Sequence, residues 1–362
     1  MILTAITFLV ILTILVLIHE LGHFLVARLV GVRVEEFGLG LPPRIWGKKF
    51  GDTIYSLNWL PIGGFVRLAG EDADPDDKAK VKGSKLKEFF WARSKKERSA
   101  ILVAGVFMNF ILAVAITMGL LVTGVQEPSG KIHVERVAPN SPAEKVGLKE
   151  NDVIRSVAVM PNTPKTTVIP SDLISFVKDN AGKEVVLIIE RDGKISTIKV
   201  TPRTEVPPGE GPLGVAISDL ELHKYPISEA PGKALMITGS RVRDMVTSLG
   251  STVWRLVTLR APEADVAGPI GIAQVTGVAV KFGFRAVLEF ASILSLNLAV
   301  LNILPIPALD GGRLMFVFLE KILGKKVRPA FERSTHQIGM LILLGLIVLV
   351  SINDILRLVR GG

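Results

Sequence analysis

The sequence predicts a polytopic α-helical membrane protein: about four transmembrane helices, a membrane-associated β-hairpin region and one inserted extracytoplasmic α+β domain. Three observations carry that prediction. Four apolar stretches approach the roughly 20 residues needed to cross a bilayer, at 2–28, 100–124, 286–303 and 338–358. Basic residues outnumber acidic ones 15 to 10 over residues 28–99 and six to three over 306–335, but only 19 to 18 over 125–283. That last region also carries the strand, turn and helix-capping signals of a soluble fold.

The 362 residues, 49% of them hydrophobic, suffice for several spans and one folded soluble unit. Arg93, Lys95, Lys96 and Arg98 flank the second stretch, and Lys325, Lys326, Arg328 and Arg333 precede the fourth. By the positive-inside rule both basic loops are cytoplasmic, which leaves the two termini and residues 125–283 outside. Most of the +9 net charge is therefore a topology signal. A nucleic-acid partner would call for a basic stripe interleaved with aromatics; with 6% aromatic residues the chain offers none, and no nucleic acid is expected. The chain has no cysteine, which excludes disulfides and thiolate ligands and leaves His, Asp and Glu for any metal.

Residues 1–30 form the first transmembrane helix. Its first 18 residues carry no charged side chain, and then comes His19-Glu20-Leu21-Gly22-His23. The helical repeat sets His19 and His23 one turn apart on one face, where two imidazoles can grip a single Zn²⁺. Glu20 falls beside them, placed to take a proton from a metal-bound water. Such residues are expensive at membrane depth and mark a working polar cavity. A cleavable signal peptide is the competing reading. It would need a basic region before the apolar run and a small-residue cleavage site after it, and this run ends in the motif instead. The motif lies toward the cytoplasmic end of the span, so its water should come from the cytosol.

Residues 31–99 are a cytoplasmic-side β region and connector. Residues 32–34, 53–57 and 64–68 read as short strands bounded by Gly and Pro. Gly38, Gly40, Gly63 and Gly64 would let another backbone approach closely. An exposed strand edge that pairs with an extended substrate and an ordinary hairpin both fit. A charged connector follows, with an amphipathic piece around 86–91. The second transmembrane helix, 100–125, carries Asn109 as a polar group, a further candidate for helix–helix bonding.

Residues 126–220 read as a compact domain. A strand at 134–137 leads into a short helix capped at Ser141 and ended at Gly147-Leu148; a strand at 151–154, a helix near 172–178 and a hairpin turning at Asp192-Gly193 follow. Residues 138–154, APNSPAEKVGLKENDVI, resemble the core signature of a bacterial PDZ domain. That likeness implies a groove in which an added peptide strand is capped at its carboxylate. The matching loop would hold Leu213, Gly214 and Val215. Peptide binding and a filter by bulk are both open. Residues 221–283 form an amphipathic juxtamembrane region at the outer membrane surface.

Residues 284–312 are the third transmembrane segment, ending in Asn302-Ile303-Leu304-Pro305-Ile306-Pro307-Ala308-Leu309-Asp310-Gly311-Gly312. Two prolines break the span where Asp310 appears, and a broken helix at membrane depth lines a protein-walled cavity. Asp310 could merely cap the next helix, but two histidines leave a catalytic zinc one protein ligand short, and that favours Asp310 as the third. His336 is a rival ligand that reads more simply as interfacial, and Glu289 as paired with Arg285 one turn earlier. The amides of Asn297 and Asn302 could bond a substrate backbone or polarise its carbonyl, or tie helices together. Residues 313–337 are a cytoplasmic loop, and 338–362 the fourth transmembrane helix and tail.

With these residues in place, the chain resembles the site-2 protease family of intramembrane zinc metalloproteases, specifically the bacterial sigma-E-regulating type that carries PDZ domains. HELGH, the Gly-rich β region, AGVFMNF in the second span, the PDZ-like unit and NILPIPALDGG carry the likeness over nearly the whole chain. The resemblance implies one Zn²⁺ held by His19, His23 and Asp310, with Glu20 as general base and Asn297 and Asn302 in contact with substrate. It implies a hairpin that receives the unwound substrate strand. It implies hydrolysis within the transmembrane segment of single-span proteins already cut by a site-1 protease, such as anti-sigma factors or signal-peptide remnants, in a bacterial inner membrane. One departure is a single PDZ-like unit where well-known members carry two in tandem. On the residues alone two other classes remain. A cleavage-silent receptor would bind exposed C-termini, and a zinc transporter would want further intramembrane ligands, which the other spans hardly supply.

Overall fold

The structure, a computed structural model, describes residues 2–71, 83–159, 165–166, 169–258, 268–325, 327 and 329–359. Residues 72–82 of the connector, and Lys326 and Arg328 of the basic loop, lie outside the described residues. The chain divides into two units, Met1–Leu120 with Ile227–Gly362, and Leu121–Pro226.

The first unit begins with α1 (Ile2–Leu29), which is uncharged up to His19 and stops when Gly31 turns left-handed at φ 77°. The Gly31 N–H donates to the Arg28 carbonyl and the Val32 N–H to that of Ala27, closing the helix end. Then β1 (Val34–Phe50) and β2 (Thr53–Leu68) form an antiparallel pair. The short strands expected at 53–57 and 64–68 are parts of β2, whereas of the one expected at 32–34 only Val34, the first residue of β1, is strand. Pro42, Pro43 and Pro61 bend each strand rather than ending it. Phe37 consequently pairs with both Tyr55 and Val66, and Ser56 with both Gly38 and Gly47. The two strands thus make four pairing segments, with 64–68 at one edge and 46–49 at the other. The amphipathic piece expected around 86–91 takes the form of two 3₁₀ turns, Gly83–Glu88 and Phe90–Ala92. Phe90 packs with Ala27, Val34, Leu68, Ile101 and Val317 in one core.

Helix α2 (Lys95–Thr123) starts with a reciprocal capping box: Ser94 Oγ accepts from the Glu97 N–H, and Glu97 Oε2 from the Ser94 N–H. After the second unit come α5 (Ala230–Val257), α6 (Pro269–Phe282), α7 (Phe284–Ile303), α8 (Asp310–Leu323) and α9 (Pro329–Val359). The α6 N-terminus has no cap of its own. Asp354 of α9 supplies one, accepting from the backbone N–H groups of Gly268 and Gly271. Buried Arg98 and Glu320 pair at 2.8 Å, and Arg313 pairs with Glu71, so α8 is fixed to α2 and to the end of β2. Glu289 bonds Arg241 of α5 at 3.1 Å, a partner the local i,i+4 spacing did not point to. Among the described residues, four helices are long and apolar enough to cross a membrane: Ile2–Leu29, Lys95–Thr123, Phe284–Ile303 and Phe331–Leu356.

The second unit is built on β3 (Val125–Val137), β4 (Val153–Val159), β5 (Lys165–Thr166), β6 (Val185–Arg191), β7 (Lys194–Val200) and β8 (Val215–His223), with α3 (Pro142–Lys145) and α4 (Pro170–Asp179). The sheet order is β7-β6-β4-β3-β8, with β5 on β4 and every pairing antiparallel. The unit is wider than the expected 126–220 because β3 starts at Val125, opposite His223. Ser141 Oγ accepts from the Glu144 N–H, and Ile132, Leu148, Ile154, Leu173, Leu187 and Ile189 fill the core.

Asp152 is buried beneath a two-pronged bond from Arg191, Nε to Oδ1 and Nη2 to Oδ2, each 2.6 Å, and also accepts from the Lys149 N–H. Burial would raise this carboxyl, but Arg191 and the Lys149 N–H outweigh it and hold it below its ordinary value. The unfolded chain therefore takes up the proton first. The stabilisation is complete above the ordinary aspartate value of about 4 and is lost as pH falls through the lower folded value. We expect Asp152→Asn to lower stability by about 1–3 kcal/mol at neutral pH, since one partner of a charged hydrogen-bonded pair is removed. Denaturation of the detergent-solubilised chain between pH 3 and 7 should show that difference shrink toward acid.

Candidate metal centre

Three elements meet at one point in the first unit. Helix α1 presents His19 and His23, both buried, with their rings edge to face at 4.8 Å. The first residue of α8, Asp310, meets both: its Oδ2 is 3.0 Å from His19 Nε2 and 3.2 Å from His23 Nε2, and the two Nε2 atoms are 3.2 Å apart. Among the described residues this is the group of His, Asp and Glu that could hold a metal. The three separations lie close to the edge, about 3.3 Å, of a tetrahedron with metal–ligand bonds of about 2.0–2.1 Å. Two imidazoles and one carboxylate are also a donor set that Zn²⁺ accepts in catalytic sites, with the fourth position left for water.

The supports explain how an apolar sequence holds this cluster. His23 Nδ1 donates to the Ile101 carbonyl of α2 at 2.8 Å, which fixes the proton there and turns Nε2 toward Asp310. Helix α2 can come this near because of glycines. A Cβ on Gly105 would sit 2.4 Å from His23 Nε2, and one on Gly22 would sit 2.3 Å from the Ala104 carbonyl oxygen. Asp310 does not cap a later helix; it starts α8 itself, straight after the 304–309 turn. Gly311 and Gly312 allow that turn to fold tightly, since a Cβ on either would lie 2.1–2.4 Å from the carbonyl oxygens of Leu304, Ile303 or Ile306. Ala308, left-handed at φ 79°, donates its N–H to His336 Nδ1 at 2.9 Å. His336 thus braces the turn that carries Asp310.

A cavity of about 220 Å³ opens beside the triad, lined by Val16, His19, Glu20, Leu298, Asn302, Ala308, Leu309 and Asp310. Glu20 therefore shares with His19 and Asp310 a space large enough for several waters. Asn302 brings its Nδ2 within 3.5 Å of His19 Nε2. Gly63 and Gly64 come to the same side of α1: a Cβ on Gly63 would lie 3.9 Å from Val16, and one on Gly64 3.8 Å from Glu20 Cγ. The structure does not bring Asn297 here. It lines a second cavity, of about 520 Å³, between α5 and α7 with Arg241, Asp244, Ser248 and Thr252. In the second unit, Leu213 is packed into the core, and the Leu213 and Gly214 carbonyls accept from Ala143 and Ala138. Val215 starts β8, the last strand of the sheet.

Comparison with known proteins agrees with this geometry. The model of the family described as peptidase family M50 matches residues 7–346. The regulator of sigma-W protease RasP of Bacillus subtilis is 31% identical over 428 aligned positions, covering 98% of this chain and 99% of that protein. The zinc metalloprotease RasP of Shouchella clausii is 30% identical over 430 positions, with 98% and 99% covered, and that of Oceanobacillus iheyensis is 28% identical over 429. A family match across nearly the whole length, with relatives of this similarity, places the chain in peptidase family M50, the membrane-embedded zinc metalloproteases of the site-2 protease type.

Proposed function

We propose that this zinc metalloprotease hydrolyses a peptide bond within the transmembrane segment of single-span membrane proteins already shortened on their outer side. The observation that carries the reading is the cavity holding Glu20 beside His19, His23 and Asp310, built on helices apolar enough to lie in a bilayer. His19, His23 and Asp310 would hold the zinc. Bound there, the ion supplies a Lewis acid and makes its water acidic enough to attack at neutral pH. Glu20 accepts a proton from water in the cavity and returns it to the departing amine. Asn302 lies where its amide can steady the substrate carbonyl. Asn297, facing the groove along α5, would touch a substrate away from the bond that is cut.

A helix hides its carbonyls, so the substrate must be drawn out as a strand. Segment 64–68 supports that role: it is an edge of the curled sheet, and Gly64 lies against Glu20. A substrate strand added there would run past the cavity, held by backbone hydrogen bonds. Residues 121–226 are read as a PDZ domain, with the outer edge of β8 beside α4 as the peptide position. Peptide capture and exclusion by bulk are both within its reach. The charge asymmetry supports a metal toward the cytosol and residues 125–283 outside, and the bacterial relatives support a bacterial inner membrane. The relative named as a regulator of sigma-W protease supports substrates of the anti-sigma-factor kind; signal-peptide remnants are the other class.

The test is proteolysis by the purified chain of a model single-span protein truncated outside its span, with the fragments weighed by mass spectrometry. A cut inside the apolar segment, abolished by a zinc chelator, is expected. Cuts confined to the flanking polar residues would contradict the reading.

A further inference from the structure

We propose that Asn109 is the positioning residue of His19, its side-chain oxygen accepting the Nδ1 proton that the ring must carry when Nε2 faces the metal. This rests on His19 being a ligand, as argued above. A neutral imidazole that binds metal through one nitrogen keeps its proton on the other, and that proton needs an acceptor. For His23 the acceptor is the Ile101 carbonyl. For His19 the side chain facing Nδ1 is Asn109 of α2, with its Nδ2 3.5 Å away. Asn109 is fully buried, and among the described residues its buried Oδ1 has no hydrogen-bond partner. A buried amide oxygen without a partner calls for an explanation.

A half-turn of the amide supplies one. It exchanges nitrogen and oxygen without changing the shape of the group, and it brings the orphaned oxygen to the His19 Nδ1. In the orientation seen, the amide N–H points at Nδ1, which suits the ring whose proton sits on Nε2 and is donated to Asp310 Oδ2 at 3.0 Å. The two faces of one amide therefore match the two tautomers of His19, without and with metal. Ser295 Oγ of α7 donates to the Asn109 carbonyl at 2.8 Å, and Gly105, one turn earlier, allows α2 to touch the histidines. In this orientation Oδ1 itself makes no helix–helix bond among the described residues.

The experiment measures zinc affinity of the detergent-solubilised full chain by competition with a chelating indicator, for wild type, Asn109→Leu, Asn109→Asp and Ser295→Ala. Melting of each zinc-free form is recorded alongside. Loss of an outer-shell partner typically weakens metal binding 10–100-fold. We expect that loss in Asn109→Leu, near-wild-type affinity in Asn109→Asp, whose carboxylate can accept the same proton, and unchanged affinity in Ser295→Ala even if its melting point falls. Equal affinity in wild type and Asn109→Leu would overturn the proposal. So would equal losses in the Leu and Asp variants, which would mark a packing role. Wild type without zinc binding would instead remove the metal-centre reading beneath it.

Discussion

Glu20→Gln should leave zinc in place and reduce turnover by about 10²–10⁴-fold, the usual contribution of a positioned general acid–base. The amide keeps the size of the side chain and its place in the cavity, and it is not one of the three converging ligand atoms. What it loses is the capacity to take a proton. Zinc stoichiometry and substrate cleavage are measured on one preparation, so a fall in rate with full metal content isolates that step. Undiminished cleavage by the variant would show that another group moves the proton.

The second large effect is expected from the turn before α8. Asp310→Ala removes one of the three proposed ligand atoms and should weaken zinc binding by more than the ~100-fold that losing an outer-shell partner can cause. Gly311→Ala tests the same atom through the backbone. Its new Cβ would stand 2.1 Å from the Leu304 carbonyl oxygen, so the turn must open and carry Asp310 away from the histidines. Both variants should lose metal and cleavage together. Gly324→Ala is the control for a glycine near the same helix: a Cβ there meets nothing within 4 Å, and its left-handed φ of 69° should affect stability without touching zinc. Full zinc content in Asp310→Ala would remove that residue from the ligand set.

The candidate metal centre was legible because its parts carry their own periodicity. Four-residue spacing put His19 and His23 on one face whatever the tertiary fold, and the shortage of a third ligand singled out a carboxylate after two prolines. The supports were less visible. Asn109, inside an apolar run, read as a helix–helix bond, and Gly105 four residues before it carried no signal until α1 is laid against them. Asn297 and Asn302 looked like a pair, yet five residues at 100° each place them about 140° apart around a helix, so one site cannot take both. The curl of β1 and β2 was hidden for a different reason: pairing partners are chosen by tertiary contact, and prolines that signal a strand end in isolation can bend a strand that has a free edge. His336 was weighed as a ligand or an interfacial residue, whereas its bond to Ala308 depends on a turn that no local pattern announces.

The account's central claim is the identity of the atoms that hold the zinc, and zinc K-edge X-ray absorption on the metal-loaded chain tests it most directly. Two imidazole nitrogens completed by oxygen ligands, all at about 2.0–2.2 Å, are predicted for the wild type, with the oxygen contribution altered in Asp310→Ala. A third imidazole in the shell, or a spectrum indifferent to the loss of Asp310, would contradict it.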